Sequence, residues 1–119
     1  MTSQHALVVH ITSDTASDWQ MALRNLQNLV RDSSVSTPPE EMQVVINGPA
    51  VRFLLDSSPD APKITKMLTA GVTVSVCSNS LSLFDHDPSS VTEGVTIVTS
   101  GVAEVVRAQQ QGKNYLQLP

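Results

Sequence analysis

Cys77 is the one cysteine among 119 residues, and it is the side chain best placed to do chemistry. It ends the β-branched run Val72-Thr-Val-Ser-Val, which reads as a buried strand, and it precedes a short helical or turn segment, Ser78 to Phe84. A cysteine at such a junction has first-turn backbone N–H groups aimed at its sulfur, and these favour thiolate over thiol. The thiolate is the nucleophilic form. The competing reading is a small packed core residue, since free cysteine is among the most buried residue types. Ser78 and Asn79 follow directly and are candidates to support the sulfur, Asn79 by orienting the thiol or by capping the helix. His86, in Asp85-His86-Asp87, is the candidate base or cationic partner, weighed against an ordinary solvated loop histidine. Thr12, Ser13 and Asp14 follow the first strand and Gly48 follows the second. All four are crevice-lining candidates, Thr12, Ser13 and Asp14 on the condition that the first and third strands are neighbours, whereas turn and cap chemistry also accounts for Ser and Asp there. His10 reads as a hydrogen-bonded core or edge histidine. Three scattered histidines and a single cysteine give no metal-site spacing.

The elements that position these residues alternate in type. His5 to Thr12 is apolar and β-branched and reads as a strand. Trp19, Ala22, Leu23, Leu26 and Val30 form one helical stripe, so a helix is expected from about Asp18 to Asp32, with Ser17 and Gln20 in a capping-box pattern. Met42 to Asn47 is a second strand. Pro49 begins a short helix with Val51 and Leu54, and Asp60 and Pro62 begin another that Gly71 ends. After the Val72–Cys77 strand come Val95–Val98, a helix over Gly101–Gln111, and a last strand over Asn114–Leu118. Strands that alternate with helices pair in parallel, because each helix returns the chain to the same end of the sheet. The expected architecture is a single α/β domain over residues 1–119, three-layered α/β/α, with a five-stranded, mainly parallel sheet.

Composition narrows the function. Seven Lys and Arg against eleven Asp and Glu give a net charge of −4. Such a surface suits neither a nucleic-acid backbone nor an anionic membrane. The chain has too few aromatics, Trp19, Phe53, Phe84 and Tyr115, to stack single-stranded bases. No apolar run approaches the roughly 18 residues that span a bilayer, and the first residues lack a signal-peptide pattern. One unpaired thiol suits a reducing compartment, so the expectation is a cytoplasmic protein. The nucleotide, zinc-protease and hydrolase signatures are missing.

The segment Gly71-Val-Thr-Val-Ser-Val-Cys77-Ser-Asn-Ser-Leu81 resembles the signature of the DsrE/DsrF sulfur-relay family. The likeness extends to the opening strand, the helix around Arg24-Asn25-Leu26-Gln27-Asn28-Leu29, the Val44-Val45-Ile46-Asn47-Gly48 strand and turn, and the closing strand. The resemblance implies a small α/β subunit of a homo-oligomer, trimer or hexamer. It implies that Cys77 accepts sulfane sulfur as a persulfide and passes it to a partner protein's thiol. No metal or organic cofactor is called for. This sequence is closer to the short, stand-alone members with Cys-x-Asn-[Ser/Thr]-Leu. The other functional class is a non-catalytic, oligomeric module that binds a small molecule or a protein, with Cys77 packed as a structural residue.

Overall fold

A computed structural model of the chain describes residues 5–119. In order come β1 (Leu7–Ile11), α1 (Ala16–Arg31), β2 (Met42–Ile46), a 3-10 segment (Gly48–Leu54), α2 (Ala61–Ala70), β3 (Thr73–Cys77), α3 (Ser78–Leu83), β4 (Thr96–Val98), α4 (Gly101–Gln110) and β5 (Asn114–Leu118). The five strands form one sheet in the order β4-β3-β2-β1-β5, and every strand pair is parallel.

This order explains which face each helix covers. The first three crossovers step in one direction, from β1 to β2 to β3 to β4, and the last runs back from β4 to the far side of β1. Crossovers of one hand put their helices on one face when they step one way and on the opposite face when they return. The first face accordingly carries α1, the 3-10 segment, α2 and α3, whose Trp19, Leu26, Leu54, Ile64 and Leu81 pack on Val9, Ile11, Val44 and Val76. Among the described residues the second face carries α4 alone, with Val105 and Ala108 on Val8 and Val45. Inner strands covered on both sides need nearly continuous apolar runs, and all five residues of β2 are buried.

Gly71 stops α2 at φ 110°, where a side chain would be strained, and Val72 N–H then donates back to the Met67 carbonyl at 3.1 Å. The expected Ser17–Gln20 capping box does not form. Helix α1 starts at Ala16 with Thr15 as N-cap and no side-chain cap bond. The Gln20 amide instead donates to both Asp60 carboxylate oxygens at 3.2 Å and accepts from Lys63 Nζ at 3.1 Å. A charged tertiary partner has displaced the weaker local bond. The first turn of α1 is held by Ser13, whose hydroxyl donates to Asp18 at 2.7 Å.

Candidate functional site

Strand alternation puts His10, Asn47, Ser75 and Cys77 on the second face, by the registers His10↔Val45 and Val45↔Ser75. Cys77 is the last residue of β3 and pairs with Val98 of β4. From these adjacent strands the chain leaves in opposite directions: β3 leads into α3 on the first face, and β4 leads through Thr99-Ser100 into α4 on the second. A crevice at the carboxyl ends of parallel strands opens where successive connections part in this way. Cys77 lies there.

Several groups converge on its sulfur. The thiol is 3.9 Å from the Thr99 carbonyl and can donate to it. Burial pushes the thiol pKa up, but hydrogen bonds from the Ser80 hydroxyl and from the backbone N–H groups of Gly101, Ser80 and Asn79 outweigh it. The net pKa lies below the ordinary thiol value. Each contribution has a local cause. Ser80 supplies a first-turn N–H of α3, while the Asn79 N–H is shared with the Thr99 carbonyl, to which it donates at 3.3 Å. Ser100 caps α4 by accepting from Ala103 N–H at 3.2 Å, which leaves the Gly101 N–H for the sulfur. A methyl group on Gly101 would stand 2.9 Å from the Asn47 Cβ and 3.3 Å from the Cys77 Cβ, so only glycine allows so close an approach. The Ser80 hydroxyl accepts from Gly48 N–H at 2.8 Å and keeps one proton of its own to donate. Cys77 is buried, with 5 % of its surface exposed.

The residues singled out from sequence fall unevenly around this point. Cys77 is at its centre. Asn79 contributes through its backbone, not its side chain, and Ser78 opens α3 without bonding to the sulfur. His86 donates its backbone N–H to the Leu81 carbonyl at 2.8 Å and is not among the groups around the sulfur. Strand β2 separates β1 from β3, so the condition that would bring Thr12, Ser13 and Asp14 to the crevice is not met. Ser13 belongs to the start of α1, and the Asp14 carbonyl accepts from Arg52 at 2.6 Å. Gly48 does reach the site through Ser80, with Thr12 packed against it. Ser80, Gly101 and Asn47 escaped sequence reading. His10 is hydrogen-bonded as expected, from Nε2 to Asn47 Oδ1, beside Gly101. Among the described residues no three His, Cys, Asp or Glu side chains converge as metal ligands. No helix there is long and apolar enough to cross a membrane.

Comparison with solved structures places this fold among known ones. The protein of unknown function MTH1491 from Methanobacterium thermoautotrophicum is 30% identical, with a TM-score of 0.85 over 94% of this chain and 97% of that one. The conserved protein of unknown function BT1422 from Bacteroides thetaiotaomicron is 18% identical, with a TM-score of 0.76 over 99% and 98%. The ychN protein from E. coli is 16% identical, with a TM-score of 0.74 over 95% and 98%. The last two likenesses are of fold alone. No curated protein matches the chain. A model of the DsrE/DsrF-like family matches residues 6–118.

Proposed function

The chain belongs to the DsrE/DsrF-like family, whose members are generally related to sulfur relay, and from that premise we propose that it is a cytoplasmic sulfur carrier with Cys77 as the persulfide site. The observation that carries this reading is the place of Cys77 at the end of β3 and the start of α3, against the Gly101 start of α4, where neighbouring hydroxyl and backbone N–H groups lower its pKa in spite of burial. The chemistry needs no cofactor. The Cys77 thiolate attacks the outer sulfur of a donor persulfide, an S–S bond forms to Cys77, the donor's S–S bond breaks, and the donor leaves as thiolate. A partner's thiolate then attacks the outer sulfur of the Cys77 persulfide, and Cys77 leaves as thiolate. Two electrons move with each displaced thiolate, so no outside oxidant or reductant enters. The donors that stabilise the resting thiolate also stabilise it as the leaving group of the second step.

The 5 % exposure of Cys77 favours a second reading, in which the thiol is packed and the protein is an oligomeric binding module. One experiment separates the two. The folded protein is alkylated across a pH series, then treated with a persulfide donor and weighed intact. The carrier reading expects an alkylation inflection below the roughly 8.5 of a free thiol, one added sulfur per chain, and no addition to Cys77→Ser. A thiol that reacts only after denaturation rejects it.

A further inference from the structure

Helices α1 and α2 lie side by side on the first face and run the same way. The Gln20–Asp60 bonds tie the N-terminal part of α1 to the N-cap of α2, and Arg31 and Ala70 end the two helices. A groove of about 510 Å³ opens between them. Its floor is apolar: Leu26, Met42 and Val72 are buried, while Val30 is 38% exposed and Leu23 and Met67 are partly covered. Its rim is basic. Arg24, Arg31, Lys63 and Lys66 line it, four of the seven Lys and Arg of a chain whose net charge is −4, and no Asp or Glu does. Lys63 is paired with Asp60 at 3.4 Å; among the described residues Arg24, Arg31 and Lys66 have no ion-pair partner.

Gathering most of a scarce charge around one apolar trough creates a local field that an anionic ligand relieves. The volume alone would suit a small molecule, but the charges are not collected at one end. Lys63 stands near the first turn, Arg24 and Lys66 near the middle and Arg31 at the last turn. From Gln20 to Arg31 the trough runs roughly 16 Å, about three helical turns. A ligand with one acidic head would meet one of these cations. A ligand with acids along its length and one apolar stripe would meet all of them.

We propose that this groove docks an acidic amphipathic helix of a partner protein. Its apolar residues at i, i+3 or i+4, and i+7 lie on Leu23, Val30 and Met67, and its Asp and Glu side chains face Arg24, Arg31, Lys63 and Lys66. The groove and Cys77 are on opposite faces of the sheet, so this docking stands apart from the thiol chemistry.

The probe is a fluorescein-labelled, end-capped peptide of Leu, Ala and Glu with leucines at that spacing, about 16 residues long so that it can be helical in water. Anisotropy titration should show saturable binding that weakens as salt is added. Arg24→Glu/Lys66→Glu should weaken it about tenfold, because attraction becomes repulsion at two points. Val30→Glu should do the same from the floor, and Cys77→Ser should change nothing. Circular dichroism melts check that the variants fold, and Arg24→Gln/Lys66→Gln replaces the reversal pair if they do not. Several outcomes overturn the proposal: no binding; equal binding by the charge-reversed protein or by a peptide with Lys in place of Glu; binding of dodecanoate without binding of the peptide; or a fall in oligomeric mass on charge reversal, which would assign the groove to a second copy of this chain.

Discussion

The Ser80 hydroxyl accepts the Gly48 N–H at 2.8 Å, keeps one proton of its own to donate, and lowers the Cys77 pKa. Ser80→Ala removes both effects. The alkylation inflection of Cys77 should move up toward the roughly 8.5 of a free thiol. Unfolding free energy should fall by about 1–2 kcal/mol, since the Gly48 N–H loses its acceptor. An unchanged inflection would show that the backbone N–H groups suffice. Folding lowers the Cys77 pKa, so ionisation of the thiol stabilises the native state. That contribution is complete above the unfolded pKa of about 8.5 and is lost as pH falls through the lower folded value. The melting temperature of the wild type relative to Cys77→Ser should therefore rise from about pH 6 to about pH 9.5. A difference that stays flat would mean that sulfur ionisation is not coupled to folding. At this scale the sequence revealed Cys77 and the start of the helix after it. Gly101 and Asn47 stayed hidden, because they come from the ends of other strands and meet Cys77 only once β4 and β2 flank β3.

The elements were more legible than the contacts between them. The apolar stripe of α1, the Gly71 stop and the β-branched strands are set by local periodicity and backbone sterics, and each appears within a few residues of where the pattern puts it. The capping box failed because Gln20 found Asp60, forty positions away in the chain. Strand order was equally out of reach, since nothing local tells β5 to pair with β1. The anchor of α1 is Trp19, 1% exposed and stacked on Phe53 with ring centroids 4.7 Å apart and planes 6° from parallel. Arg52 lies over the Phe53 ring at 4.2 Å. The Trp19 indole N–H is buried without a hydrogen-bond partner. Trp19→Ala should cost about 3–5 kcal/mol, measured by urea unfolding followed by circular dichroism. Trp19→Phe should cost clearly less, because it removes the unpaired N–H, a penalty of about 1–3 kcal/mol, along with the lost volume. Equal costs for the two would mean that the ring stacked on Phe53 is not what anchors α1.

At the scale of the whole molecule, the described residues cover the two faces of the sheet unequally, three helices and a 3-10 segment against α4 alone. The outer side of α4 exposes Val102 and Val106, one turn apart, and Tyr115 of β5 is 43% exposed. Apolar side chains exposed side by side in this way are candidate contacts for an assembly of several chains. Light scattering after size exclusion should give a multiple of 12.8 kDa for the wild type and 12.8 kDa for Val102→Glu/Val106→Glu. A wild-type mass of one chain rejects the assembly. The long return from β4 to β5 also orders events in time. Three of the sheet's strand pairs are made by residues before position 100, whereas the β1–β5 pair and the docking of α4 come last along the chain. The Gly101 N–H reaches the sulfur only with that final segment. A nascent chain that has emerged as far as β4 therefore carries a less activated thiol, and activation arrives with completion. Pulsed alkylation during refolding should show the thiolate-like reactivity of Cys77 appearing in the last kinetic phase, together with the docking of α4.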